Sequence, residues 1–558
     1  MIEYILTILK SFLSFSENNP IIFTNMDFWI FFVIVYAVFT VIYKQYNIKN
    51  LFLFLVSVFF YYKTSGLFFG LLLFTITNEF LIARVIHQSK KEVLRKFLLG
   101  YSVVINLGLL CYFKYAYFFT DSYNQLFQTN HEVFNYFAHW GNGWLSNGDA
   151  FRIDKIILPV GISFYTFQTL SYTIDVYRKR LTPTKNFFDF GFYVSFFPQL
   201  VAGPIVRASD FIPQIRQPFS LSRYQFGLAV FMILNGLLKK MVVGDYIAVN
   251  FIDKVYANPF LYTGLENLLA VIAYSLQVYL DFSGYTDIAI GIALLMGYRL
   301  NTNFNSPYKA KNAGEFWKRW HISLSTWLQD YLYIPLGGNR KGTIASYVII
   351  VILSVFMALL LEASWVLWIV LSIGFVFFAL SLISADFKKA VNTNINLMIT
   401  MLLGGLWHGA TLNFLIWGGL NGLGIVVYKF WRKISPYEKM NSLPVHFWKV
   451  FNTFVFISIT RIFFRAEDMT QATEVITKIY SDLNWQLLPR IIVGYKEVFL
   501  LMTIGFVVHW LPKKHKWEYK KFFIKSPVWF KVAVVIVCVI LIQLTKSADT
   551  QPFIYFQF

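Results

Sequence analysis

Residues 396–433 read NLMITMLLGGLWHGATLNFLIWGGLNGLGIVVYKFWRK. Lys388 and Lys389 precede this stretch, and Lys429 to Lys433 close it. Lysine and arginine gather on the cytoplasmic side of membrane proteins, so two cytoplasmic flanks imply a segment that enters and leaves by one face. His408 falls near its turn. A helix of about a dozen residues rises roughly 18 Å, about half of a hydrocarbon core of about 30 Å. His408 is therefore expected near mid-membrane. Gly404, Gly405, Gly409, Gly418, Gly419, Gly422 and Gly424 fit close helix approach or broken helices around a cavity. From the residues alone His408 is either a buried histidine bonded to a neighbouring helix or a site residue facing a cavity.

The whole chain agrees with a membrane reading. Of 558 residues, 57% are hydrophobic, 20% aromatic and only 14% charged, against roughly 25% charged in soluble domains. A soluble enzyme and a disordered chain are excluded, and the apolar content suffices for on the order of ten or more spans. The 49 Lys+Arg against 29 Asp+Glu give a net charge of +20, a sign of nucleic-acid binding in a soluble protein. Here the bases fall in short clusters between apolar runs, at 87–96, 178–185, 309–319, 340–341, 388–389, 429–433 and 513–525. They mark cytoplasmic loops, and no nucleic-acid partner is expected. The stretch 121–150 has no Lys or Arg and reads as an extracytoplasmic loop. After the 513–525 cluster one apolar span, about 528–545, carries the chain outward. The expected organisation is one membrane domain over 1–545 and an extracytoplasmic tail over 546–558 that ends in FIYFQF and packs back into the protein. Cys111 and Cys538 lie in apolar runs and offer no disulfide framework. The N-terminus, with Lys10 and no small-residue cleavage pattern, does not read as a removable signal peptide.

A second polar break is GEFWKRWHISLSTWLQDYLYIPLGGNRKG, residues 314–342. Its charge is too dense for a span, so it is expected as an amphipathic or re-entrant segment carrying His321. The alternative is an interfacial helix anchored by Trp317, Trp320 and Trp327 with no chemistry. Asp281 and Asp287 either bind a proton or cation in a transporter or pair with bases of the segment that follows. Pro198, Pro204, Pro213 and Pro218 suggest a re-entrant or surface loop. Arg461 and Arg465 in RIFFR suggest a helix end with snorkelling arginines. Two histidines, even with Asp281 and Asp330, do not make metal-ligand spacing, so no metal site is expected. Hydrolase-elbow, Walker and dinucleotide motifs are not found in the sequence. A mid-membrane histidine beside a cavity suits general-base activation of a hydroxyl for acyl transfer.

At these residues the sequence resembles the membrane-bound O-acyltransferase superfamily, in its bacterial branch of alginate, peptidoglycan and teichoic-acid acyl transfer proteins. The resemblance rests on LPVGISFYTFQTLSYTIDVYR, FFPQLVAGPIVR, VYLDFSGYTDIAIGIALLMGYRLNTNFNSPY, FWKRWHISLSTWLQDYLYIPLGGNRKG, LGGLWHGATLNFLIWGGLNG and RIFFRAED, in order from 158 to 468, with FIYFQF extending it to the last residue. It implies an all-α polytopic fold of about eleven to thirteen transmembrane or re-entrant helices, ringed around a cytoplasmic and an extracytoplasmic funnel. It implies that His408 in LWHG is the catalytic histidine and His321 in RWHIS the second polar position. In the teichoic-acid system a separate small protein ends in a similar aromatic motif whose tyrosine is thought to carry the acyl group. Tyr555 is the matching residue here. The expected donor is a thioester, acetyl-CoA or another, with no bound cofactor. Lys309, Lys311, Lys318, Arg319, Arg340 and Lys341 are candidates to attract its phosphates. The expected partners are membrane lipids, an extracytoplasmic SGNH-type acetyltransferase and a surface or wall polysaccharide. The expected location is a bacterial cytoplasmic (inner) membrane. A transporter or flippase, and a scaffold for a partner acyltransferase, stand as alternatives.

Overall fold

The computed structural model describes residues 14–15, 20–144, 152–200, 203–360, 364–545 and 553–554. Among the described residues the chain is helical, with no strand. Among the described residues, seven helices are long and apolar enough to cross a membrane: Tyr46–Gln88, Glu92–Phe127, Arg223–Ala257, Gly264–Leu295, Leu412–Ile434, Leu443–Arg465 and Val528–Thr545. Trp485–Gly494 and Lys496–Trp510 form a further pair bent by 98°, and Met26–Ile42 and Ile344–Leu360 are apolar but shorter. The chain is a polytopic all-α membrane protein. The expected eleven to thirteen helices include such short and broken pieces as well as full spans.

Gly264–Leu295 is the axis of the molecule. It begins with a reciprocal cap, the Glu266 N–H donating to Thr263 Oγ1 (3.2 Å) and the Thr263 N–H to Glu266 Oε2 (2.9 Å). Its apolar window is 89% buried, whereas the final helix Val528–Thr545 buries only 6% of its own. Protein surrounds the first, and the second offers its sides to lipid. At two places where lysines enter spans, the helix widens locally to i→i+5 bonding. Such turns hold Lys114 at Cys111–Tyr115, and Lys239 with Lys240 at Leu238–Gly244. The extra residue in a wide turn re-aims the side chains that follow.

The 396–433 stretch forms a helical hairpin, Ala385–His408 and Leu412–Ile434. Its glycines set the distance between the two arms. A Cβ on Gly405 would stand 2.3 Å from the Phe414 carbonyl oxygen, and one on Gly418 would stand 2.3 Å from that of Met401. Only hydrogen fits at either position, so the arms run backbone to backbone and His408 is carried to the tip.

Three local expectations need correction. The proline stretch is a surface loop only in its last part: Phe187–Ser195 and Phe197–Leu200 are interior helices and Pro198 and Pro204 are buried, whereas Pro213, inside the short helix Ala208–Ile215, and Pro218, in the loop beyond it, are exposed. Trp320 and Trp327 are buried, so they are core residues and not interfacial anchors. Arg461 does not snorkel. It is buried, donates to the Ser275 carbonyl (2.9 Å) and to the Tyr308 hydroxyl, and lies 4.5 Å over the Trp320 ring.

Gly418→Ala is expected to destabilise the protein by roughly 1–3 kcal/mol, the usual cost of overpacking a close contact. A fall in melting temperature of the detergent-purified protein checks this. Gly108→Ala, where a Cβ meets nothing within 4 Å, should give no such fall.

Candidate active site

His408 is the last residue of its helix, and Gly409 leaves it extended (φ −161°, ψ 154°). A helix that stops inside a membrane exposes carbonyls that water cannot reach. Lys114 and Tyr115 meet them. Lys114 Nζ donates to the carbonyls of Trp407 (2.7 Å) and His408 (3.1 Å), and the Tyr115 hydroxyl donates to that of Leu406 (2.6 Å). A cation at a helix C-terminus is also favoured by the helix dipole. Lys114 escaped the sequence reading, although a lone lysine inside the apolar run 97–119 is a recognisable signal.

His321 arrives from the other polar break. It sits in the left-handed region (φ 43°, ψ 55°) immediately before the helix Ile322–Leu328, a conformation that histidine tolerates better than most residues. Asn303 holds the geometry. Its carbonyl accepts from the Ile322 N–H (3.0 Å), and its Oδ1 accepts from the Ser323 N–H (3.1 Å) and hydroxyl (3.0 Å). His321 is 0% and His408 2% exposed, and their ring centroids are 6.2 Å apart. The fold thus joins two histidines that are 87 positions apart in the chain. Aromatic rings enclose them: Trp417 is 5.0 Å and Phe464 5.4 Å from His408, and Phe282 is 4.7 Å from His321.

His408 also lines a cavity of about 850 Å³ between the hairpin and the 312–333 segment. Lys318, Lys429 and Arg432 line it too. Of the six bases expected to attract a donor, Lys318 alone is among the lining residues. Lys309 is turned away and donates to the Leu511 carbonyl (2.7 Å), its ammonium pKa lowered by burial and by the charges of Arg319 and Lys513. Arg319 pairs with Glu315 at 2.7 Å, and neither Lys311, Arg340 nor Lys341 reaches the wall. Lys429 and Arg432, read from the sequence only as topology markers, take their place.

Phe553 and Ile554, the described residues of the C-terminal tail, are buried. Phe553 is 4.4 Å from the Tyr285 ring and 5.6 Å from the Phe282 ring, and the Ile554 N–H donates to Asp281 Oδ2 (3.1 Å). Tyr555 lies outside the described residues. Asp281 and Asp287 are paired, but with partners other than those expected. Their lysines come from the preceding segment: Lys240 is 2.6 Å from Asp281 and Lys239 is 2.7 Å from Asp287. Asp330 is held by Arg207 at 3.1 Å.

The sequence has relatives among known proteins. The MBOAT, membrane-bound O-acyltransferase family model matches residues 97–385. A probable alginate O-acetylase AlgI of Pseudomonas putida is 36% identical over 400 residues, 71% of this chain and 67% of the relative. A peptidoglycan O-acetyltransferase of Helicobacter pylori is 31% identical over 453 residues, 76% of this chain and 73% of the relative. A teichoic acid D-alanyltransferase of Bacillus subtilis is 26% identical over 299 residues, 53% and 64% of the two. The chain belongs to the membrane-bound O-acyltransferase family. It is accordingly a multi-pass membrane enzyme of the O-acyltransferase class.

Lys114 contacts the helix end and not the imidazole, so if His408 is catalytic Lys114 is expected to act as a positioning residue. Replacing it with Met removes a helix-terminal cation worth about 1–2 kcal/mol, so Lys114→Met is expected to lower the acyl-transfer kcat by about tenfold. The donor KM should change little, because Lys114 is not a cavity-lining residue. Steady-state turnover of the reconstituted protein checks both.

Proposed function

We propose that the enzyme takes an acyl group, acetyl by class, from a cytoplasmic thioester such as acetyl-CoA and delivers it across the membrane for O-acetylation of a surface or wall polysaccharide. The observation that carries this reading is the position of the histidine pair between two separate features. The 850 Å³ cavity with Lys318, Lys429 and Arg432 reaches His408 from one side, and the buried Phe553–Ile554 segment approaches His321 through Phe282 from the other. The three bases suit the phosphates of a coenzyme A donor. The names of the relatives, which refer to alginate, peptidoglycan and teichoic acid, support a polysaccharide acceptor.

In the proposed reaction the His408 imidazole takes the proton of an acceptor hydroxyl, and that oxygen attacks the thioester carbonyl. The C–O bond forms and the C–S bond breaks. The thiolate leaves as the thiol, with the proton returned by His408. His321, 6.2 Å away by ring centroid, assists. The acceptor hydroxyl is the Tyr555 phenol, one residue beyond Ile554. An unperturbed phenol has a pKa of about 10, so it needs such a base. The C-terminus is then extracytoplasmic, and an SGNH-type partner receives the acyl group from Tyr555. Asp281 and Asp287 are ion-paired with lysines, which takes from the transporter reading the carboxylates it would use.

His408→Ala is expected to reduce transfer by roughly 10²- to 10⁴-fold, the range for loss of a general base, in protein that still folds. Thioester consumption by liposome-reconstituted protein measures it. Unchanged consumption in a well-folded variant would overturn the role of His408, and substrate flux without consumption would favour a transporter. Intact-protein mass spectrometry should find an acyl adduct on the C-terminal peptide that is absent in Tyr555→Phe. Normal transfer by Tyr555→Phe would remove the tail from the reaction.

A further inference from the structure

We propose that the buried cluster of Lys240, Asp281 and Asp245 is a docking site for the protein's own C-terminal tail, in which Asp281 holds the tail by its backbone and sets its register against the histidine pair. The inference deepens the proposed reading of the tail as part of the active centre and rests on it.

Asp281 lies near the middle of the 32-residue helix Gly264–Leu295, whose apolar window is 89% buried. Lys240 and Asp281 are each 2% exposed. Lys240 Nζ stands between two carboxylates, 2.6 Å from Asp281 Oδ1 and 2.7 Å from Asp245 Oδ1. A pair buried at this depth is tolerated only when its geometry is good and the remaining lone pairs are met by donors. Asp281 divides its two oxygens accordingly. Oδ1 faces the ammonium, and Oδ2 accepts the N–H of Ile554, from the far end of the chain, at 3.1 Å. A hydrogen bond to an ionised acceptor is among the strong ones.

The surrounding surface is shaped for the same segment. Phe553 is fully buried, with its ring on Tyr285 (4.4 Å) and Phe282 (5.6 Å). Tyr285 lies 5.7 Å from Lys240 Nζ on its other side. Phe282, which follows Asp281 directly, has its ring centroid 4.7 Å from that of His321. One short stretch of the axial helix, Asp281 to Tyr285, therefore grips the tail and touches the catalytic histidine pair. The grip on a backbone N–H holds the tail whatever side chain position 554 carries, and the seating of the Phe553 ring on Tyr285 and Phe282 decides which tail residue is held. A shift of one residue along the tail would break the bond and lift Phe553 out of its slot.

Hydrogen exchange of the full-length protein in nanodiscs, read on the C-terminal peptide that contains Ile554, tests this. The wild-type peptide should be protected. Asp281→Asn removes the charge at nearly constant shape and should speed its exchange by about tenfold, in line with losing a charge-assisted hydrogen bond, while the 264–295 helix keeps its protection. Ile554→Pro removes the N–H donor, together with the isoleucine side chain and the freedom of φ at that position, and leaves the ion cluster intact. It should lower the acyl-adduct yield by about tenfold, the same loss of docked population, with the melting temperature unchanged. Tyr555→Phe should leave the tail's exchange protection at the wild-type level whatever it does to transfer, so failure of the tyrosine relay and failure of the dock are distinguishable. If Asp281→Asn leaves the tail protected and Ile554→Pro yields adduct as the wild type does, the docking site is refuted.

Discussion

The Lys114 ammonium against the carbonyls of Trp407 and His408 answers the constraint on which the rest of the structure depends. A helix can end inside a membrane only if something other than water takes its last carbonyls. The hairpin 385–434 ends one helix at its tip, and that tip is where His408 must be for a cavity on one side and a neighbouring histidine on the other to reach it. Lys114 and Tyr115 make the ending tenable. The glycines that bring the arms together make it narrow enough to insert.

The same accounting is repeated elsewhere in the interior. Glu79, fully buried, accepts from Ser102 (2.7 Å) and Asn106 (2.7 Å) on one neighbouring helix and from Thr173 on another. Asp189 takes Asn50 at 2.8 Å and Arg216 at 2.7 Å. These groups join helices far apart in sequence, and each costs free energy if one partner is lost. They bind the helices to one another through defined atoms, which apolar packing alone does less exactly in lipid, where no hydrophobic force drives helices together. A frame joined in this way keeps the 6.2 Å separation of the two histidine rings while leaving the outer helices, such as Val528–Thr545, to the lipid.

What the sequence could and could not convey follows from the range of each signal. The hairpin was legible because basic flanks and glycines lie within the same forty residues or so. His408 and His321 were legible as polar breaks in apolar runs, and the family resemblance paired them. The partners of Asp281 and Asp287 were misjudged because a wide turn at Leu238–Gly244 re-aims Lys239 and Lys240, and nothing in a hydropathy pattern announces such a turn. Lys429 and Arg432 were read as topology markers because a cavity wall is chosen by helix rotation, which flank composition does not encode. Arg461 looked like a snorkelling residue because its burial depends on Trp320 and Tyr308, well over a hundred positions earlier. Tryptophans in a basic segment likewise resemble interfacial anchors until the elements that cover them are known.

The enclosure of the histidines also bears on why an acyl transferase would be built inside a membrane. A thioester and an imidazole in open water lose the acyl group to hydrolysis, so the site must admit both substrates and exclude solvent. Trp417 and Phe464, 4.9 Å apart by ring centroid, stand against His408, and Phe282 stands edge-on to His321. Rings at these positions leave the imidazoles 0–2% exposed and leave approach to the cavity on one side and the tail dock on the other. Under the proposed reading, an acyl group entering from the cavity meets the tail before it meets bulk water. In that reading a general base buried this deeply acts only on what is delivered to it, and delivery by the protein's own terminus would make the acceptor intramolecular. That arrangement supplies the effective concentration that a freely diffusing acceptor would lack.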